Sequence, residues 1–506
     1  MWAESHTSSG RPFSRSPGYL KRRFDRFFAE GVNATLLTLF IHQPDERQPG
    51  VTAWFGNEFH RHNTWFGQMD ILNAYIKRCN YMLQQGLDVA DIAFFIGEDT
   101  PKMTGLLEPA CPPGKTRQWD LINAEVLRET AGVDEKGRLS LPHGTKYEVL
   151  VLPRLGTTMR PEMLRTVERL VNDGAFVLGP KPLRSPSLAG QPRADEEVRE
   201  IADRLWGDVD GKSKLFRRVG KGVIAWNLPY DDIFAMRKSP EDCAFRAETL
   251  VDFSHRTLPN AEIYFLANRV NGKTADRFVF RTAGRIPELW RPVTGEMREA
   301  PEWRATADGR TEVRVELEPM ESVFVVFARP DGGRTERHAP VRRTARELAC
   351  AWELEFQSDP LHRGPAGKIR LDALSDLSKS ADPAIRHYSG KVVYRTKFTA
   401  SKPSSGEIAR LSFGGAREIA RVKVNGREAG GIWTAPYEVQ VTDLLRDGEN
   451  DLEVEVCTSW VNRLVGDAAL PTEKRPTWIS VGGYKANHPL VPSGLFGPTR
   501  LVVERQ

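Results

Sequence analysis

The chain has 506 residues, of which 40% are apolar and 27% charged, with a formal net charge of +5. That balance excludes a disordered chain and leaves room for several domains with ordinary cores. Lys and Arg are scattered among Asp and Glu, and no apolar run approaches the ~20 residues of a membrane helix, so neither nucleic acid nor a membrane is implied as a partner.

In chain order, Trp2-Ala3-Glu4-Ser5-His6-Thr7 reads as the end of a strand offering a carboxylate, an imidazole and hydroxyls within a few positions. The spacing of Leu20, Phe24, Phe27 and Phe28 predicts an amphipathic helix closed by Gly31. Asn33 to Ile41 follows as an apolar, β-branched stretch, expected to be a fully buried strand ending at His42, Gln43 and Pro44. A helix followed by a buried strand is half of a parallel βα repeat, and in such folds chemistry collects past the carboxyl ends of strands. The loop 43–67 exceeds the ~15 residues usual inside compact domains, which marks it as functional. The next helix carries Leu72, Tyr75, Ile76, Cys79 and Leu83 and stops at Gly86.

Residues 1–87 therefore form one unit. Residues 88–258 alternate strands (89–96, 147–153, 175–179) with helices (120–130 and one starting near Pro161), which predicts a doubly wound α/β domain. Helices nearly vanish after that. Strands at 261–268, 277–281 and 321–327 predict a small β-sandwich over 259–330, and 331–345 reads as a linker. Residues 346–506 form a last all-β unit, in which Val424-Asn425-Gly426-Arg427 is a hairpin signal. The five cysteines (79, 111, 243, 350, 457) are far apart and lack any CxxC pair, so neither a disulfide framework nor a zinc knuckle follows.

Particular segments resemble the C-terminal part of an α-L-rhamnosidase of glycoside hydrolase family 106. They are Ala3-Glu4-Ser5-His6-Thr7, Gly31-Val32-Asn33 with His42-Gln43-Pro44, Gly56 to Trp65, Leu83 to Asp91, and Tyr147 through Pro153 to Gly174-Ala175-Phe176-Val177. The tail, with Val424 to Tyr437, Leu444 to Asn450 and Ser493 to Pro498, is similar to the sugar-binding jelly roll of family 2 glycosidases. The resemblance implies a multidomain α/β plus β protein: the last part of a (β/α)8 barrel, a doubly wound amidotransferase-like domain, a small β-sandwich and a galactose-binding-like jelly roll. It implies hydrolysis of terminal α-L-rhamnosides with inversion, the work of two carboxyl groups. Glu4 then matches the general base, and the acid is expected upstream of Met1, in a chain that begins inside its catalytic unit. The alternative is an inactive remnant that at most binds carbohydrate. Calcium is implied by the family only, with no ligands assignable.

Around Glu4, the residues expected to hold substrate are His6, Thr7, His42, Gln43, Arg61, Asn63 and Trp65, the last as a stacking face. Each has a structural alternative: a strand cap for His6 and Thr7, a satisfied histidine for His42, and a loop folded on its own aromatics for the others. His60 and His62 without a supporting carboxylate or thiolate are weak evidence for zinc. Cys111 lies in loop sequence, not at the nucleophile elbow of an amidotransferase, so the α/β domain reads as structural. In the jelly roll, Trp433, Tyr437, Trp460, Asn462 and Arg463 are candidates for sugar contact or for packing. The N-terminus lacks the pattern of a secretory leader, which reads as cytoplasmic if the chain is complete and as periplasmic or secreted if its true N-terminus is missing.

Overall fold

The computed structural model describes residues 1–7, 10–98, 114–154, 157–339, 341–357, 361 and 363–505; Cys111 lies outside them. Two βα units open the chain. Strand β1 (Trp2–Ser5) pairs in parallel with β2 (Ala34–Leu37), Glu4 opposite Leu36. Between them runs α1 (Pro17–Ala29), started by Ser16, whose Oγ accepts from the Tyr19 N–H at 3.1 Å, and by proline in its first turn. Its Leu20, Phe24 and Phe28 meet Leu72, Tyr75 and Ile76 of α2 (Met69–Leu83). The same core takes in Ile263, Phe265, Phe324 and Val326 from the middle of the chain and Ile419, Trp433 and Cys457 from its last third.

The fully buried strand expected over 33–41 is not found. Only 34–37 is strand, and with one neighbour its open face leaves Leu36 and Phe40 exposed. Trp2, on the same face as Glu4 and Leu36 by register, is exposed as well.

The α/β unit is built on a six-stranded sheet. From Ile92–Phe95 it runs through Val149–Val151 and Phe176–Leu178 to Gly222–Ala225, all parallel, with Trp119–Ile122 on one edge and antiparallel Phe216–Val219 on the other. Alternate strand residues face opposite ways. Ala93, Leu150, Val177 and Ile224 meet helices Pro161–Asp173 and Arg193–Trp206, whereas Phe94, Val151, Phe176 and Val223 meet Tyr230–Arg237. The helix expected over 120–130 is shorter: 119–122 is the parallel edge strand, and Asn123 caps a helix over Ala124–Glu129.

Two boundaries differ from the sequence reading. Val251–Leu258, grouped there with the α/β unit, turns at Pro259 and Asn260 and pairs antiparallel with Ala261–Asn268. Val251 and Phe253 enter the core of the following β unit, where a five-stranded and a six-stranded sheet close on Tyr264, Phe278 and Phe327. Cys243 already pairs with Phe280, so the α/β unit ends just before it. The stretch 331–345 is not a free linker: Glu336–His338 is an edge strand beside Glu302–Ala305, and Arg342–Glu347 lies along Arg500–Arg505. The last unit packs its sheets around Trp352, Tyr394, Leu411 and Val454. Its hairpin turns at Asn425 (φ 52°) and Gly426 (φ 77°), as the Asn-Gly pair requires.

At the joint between the α/β unit and the β unit, His255 is buried with its Nδ1 3.0 Å from Asp242 and its Nε2 2.9 Å from Glu262, and its ring is stacked on Tyr264. Burial lowers its pKa, but Asp242 and Glu262 outweigh that and raise it from 6.5 to about 9. The imidazolium therefore stabilises the fold fully below pH 6.5, and that contribution fades as pH rises through about 9. The melting temperature should fall from pH 7 to 10, and His255→Gln should flatten that slope. An unchanged slope would remove His255 from the account.

Candidate functional site

Of the residues singled out in the sequence, the carboxyl end of β1 brings Thr7 beside Glu4. Glu4 is exposed, and its Oε1 accepts from Thr7 Oγ1 at 3.2 Å. Among the described residues, every other carboxylate of 1–87 is ion-paired: Asp25 with Lys21, Glu30 with Arg26, Asp45 with Arg47, Glu46 with Arg61, Glu58 with Arg15 and Asp70 with Arg421. Among the described residues, Glu4 is exposed with no ion-pair partner and has the Thr7 hydroxyl beside it.

His6 does not join it. Its φ of 74° turns the chain, and its ring packs on Phe24 at 4.1 Å between centroids, buried and with neither nitrogen partnered. Burial first, then the charges of Arg15 and Arg23, push its pKa down to about 3, so the ring is neutral. Its backbone does the holding. The His6 carbonyl accepts from Arg15 Nη2 at 2.6 Å, while the same guanidinium donates through Nε to Glu58 at 2.7 Å. Gly56, at φ 134°, lies against this latch: a Cβ there would sit 3.3 Å from Arg15 Nη2 and 3.5 Å from the His6 oxygen.

The loop 43–66 corrects most of the expected substrate contacts, because long-range packing consumes them. Trp65 is 1% exposed and belongs to the core shared by α1 and α2, so it offers no stacking face. Gln43 is buried; its Oε1 accepts from Val51 N–H at 2.7 Å and its Nε2 donates to the Asp45 and Arg47 carbonyls. Arg61 is paired with Glu46 and donates to the Gln43 and Asp45 carbonyls. Asn63 is buried and donates to the Glu58 carbonyl at 2.7 Å. His60 and His62 serve the loop too: His60 Nδ1 accepts from the His62 N–H at 3.0 Å, and His62 Nε2 lies 3.1 Å from Glu46. Thr7, beside Glu4, and His42 remain exposed.

One residue the sequence reading passed over is Trp54, 75% exposed on the loop that Gly56 presses against the end of β1. A large aromatic on a long strand-end loop is the signal; what hid it was the equal claim of Trp65. In the last unit, Trp433 packs on Tyr75 at 5.6 Å, and Trp460 is buried with Nε1 donating to the His62 carbonyl at 2.8 Å. Both hold the first unit in place.

Among the described residues no group of three or more His, Cys, Asp or Glu is placed to hold a metal ion. No described helix is long and apolar enough to cross a membrane.

Residues 373–485 match the model described as glycosyl hydrolase 2 galactose-binding domain-like. Residues 1–304 match the α-L-rhamnosidase model of glycoside hydrolase family 106, and the chain belongs to that family. The structure of a rhamnosidase from Novosphingobium sp. PP1Y superposes with a TM-score of 0.90 at 34% identity, covering 99% of this chain and 47% of that one. A protein of Formosa agariphila named "Putative beta-glucuronidase" is 34% identical over 328 residues, 64% of this chain and 26% of that protein. The chain thus spans about half the length of the first relative and about a quarter of the second.

Proposed function

We propose that this chain serves the hydrolysis of terminal α-L-rhamnosides with inversion, Glu4 acting as the general base. The observation that carries the reading is the ion-pair-free, exposed carboxylate of Glu4 at the carboxyl end of a parallel strand. Membership in the α-L-rhamnosidase family supports the substrate. We read the two βα units as part of a (β/α)8 barrel whose lumen is the Trp2, Glu4 and Leu36 face, and the two sheets that follow the α/β unit as a β-sandwich. In an inverting reaction Glu4 takes a proton from water as that water attacks the anomeric carbon, while a second carboxylic acid protonates the departing oxygen from the other face of the ring. Trp54 supplies a flat apolar surface for a sugar ring, and Thr7 orients the Glu4 carboxylate.

Proton NMR of the sugar first released from an aryl α-L-rhamnoside tests the stereochemistry. The β anomer should appear first and the α anomer only by mutarotation; the reverse order would overturn a base-and-water role for Glu4.

A further inference from the structure

The seam between the β unit and the last unit holds a cavity of about 480 Å³, within the ~300–1,000 Å³ usual for small-ligand sites. One wall is a sheet face of the last unit. Arg343 lies opposite Glu504 there, and Arg410 and Glu438 follow on the next strands, all on one side by register. Across from them stand Glu296 and Arg298, on the strand Glu296–Glu299 of the β unit. Arg410 Nη2 donates to both oxygens of Glu296 at 2.8 Å, and Arg298 Nη1 donates to Glu504 at 3.0 Å. These pairs tie the two units together around the cavity, and Leu289, Val293 and Pro436 add apolar surface to it.

Charge decides what such a cavity can take. Carboxylates outnumber Lys and Arg on its walls, and each of them is ion-paired, as Glu318 is with Lys273, Glu321 with Arg291 and Glu438 with Arg343. Burial alone would push the Glu504 carboxyl up, but Arg410, Arg343 and Arg298 outweigh it and hold it below its ordinary value, so it is ionised. An anion therefore meets a surplus of negative charge, and a cation meets carboxylates already held by other cations. One donor is left over. Arg298 spends Nε on Glu296 and Nη1 on Glu504, while its Nη2 is buried and, among the described residues, finds no acceptor. A buried N–H without an acceptor is costly, and a neutral oxygen placed on it makes a charge-assisted bond without adding charge. Sugar hydroxyls supply such oxygens. They also donate, and a carboxylate paired with an arginine keeps lone pairs to accept them.

We infer that this cavity is a binding site for a neutral saccharide unit, with Arg298 Nη2 donating to one of its oxygens and Glu296, Glu438 and Glu504 accepting from its hydroxyls. The inference goes beyond the rhamnoside reading above, because no part of it uses Glu4. A sugar seated there touches both units, so its binding also stabilises their seam.

The test is saturation-transfer NMR titration of the full chain with D-glucose, D-galactose and D-mannose at millimolar concentrations, beside sodium D-glucuronate. At least one of the three neutral hexoses should bind, more tightly than glucuronate. Arg298→Lys, which keeps the charge but not the Nη2 donor, should weaken that hexose by about tenfold or more, the effect of a hydrogen bond to a charged group. Thr294→Trp should abolish its binding by filling the cavity with an indole. Thr294 is exposed on the cavity wall, so the fold, read by melting temperature, should be unaffected. Glu4→Gln should bind the hexose as the unaltered chain does. If none of the three hexoses binds, the cavity holds water only and the inference falls. It falls equally if binding survives both cavity substitutions, if Glu4→Gln abolishes binding, or if glucuronate binds as tightly as the preferred hexose.

Discussion

Lys21→Met should destabilise the first unit and its seam with the β unit by about 3–5 kcal/mol, the usual consequence of removing one member of a buried ion pair. Lys21 is fully buried inside α1, which a lysine tolerates only with its charge and its donors satisfied. Its Nζ meets Asp25 at 2.6 Å, one helical turn on, and donates to the Met320 carbonyl at 2.9 Å and to Ser322 Oγ at 3.0 Å. Tyr75 of α2 donates to the other oxygen of Asp25. One ammonium therefore joins α1 to the start of strand Ser322–Pro330 in the β unit, while its carboxylate partner joins α1 to α2. Methionine would fill the space but strand Asp25. Replacing both partners, Lys21→Met with Asp25→Leu, removes the uncompensated charge and should recover much of the loss. Denaturant unfolding, read together with proteolysis of residues 1–87, checks both. A single substitution costing under about 1 kcal/mol would mean that water reaches this pair.

The second large effect separates two tryptophans of one loop. Trp65→Ala should cost about 3–5 kcal/mol, because the indole is enclosed by Phe59 and the α1–α2 core and leaves a cavity there. Trp54→Ala should leave stability within about 0.5 kcal/mol, since an exposed side chain loses little. Glycoside binding should show the opposite pattern, weakened in the Trp54 variant and retained in whatever fraction of the Trp65 variant stays folded. Weakened binding in a stable Trp65→Ala protein would restore Trp65 to the site.

The fold was legible where a local pattern suffices. The 3–4 spacing of Leu20, Phe24 and Phe28 marked α1, the apolar run in 261–268 marked a strand whose bounds the structure reproduces, and Asn425-Gly426 marked its hairpin. Boundaries failed where pairing is long-range. Nothing local in Val251–Leu258 says that its partners are Ala261–Asn268 and Leu87–Asp88, and nothing in the Arg-rich stretch after 340 says that it lies along the last strand of the chain. The site divides in the same way. The strand-end placement of Glu4 could be read because a carboxylate at a strand end needs no distant partner to be exposed. Trp65, Gln43, Asn63 and His6 were misjudged because what covers or engages them comes from the other side of the loop, from α1 and from segments hundreds of residues on, such as Trp460 reaching the His62 carbonyl.

The central claim is that Glu4 is the base of a rhamnoside-hydrolysing site. It is tested most directly by turnover of p-nitrophenyl α-L-rhamnoside by the chain and by Glu4→Gln. Nitrophenolate leaves without help from an acid, so the rate isolates the base, whatever group protonates natural leaving groups. The account predicts measurable turnover that falls by about 100-fold or more in Glu4→Gln, the scale of a lost general base, with the melting temperature unchanged because Glu4 is exposed. Turnover equal in the two proteins would contradict it.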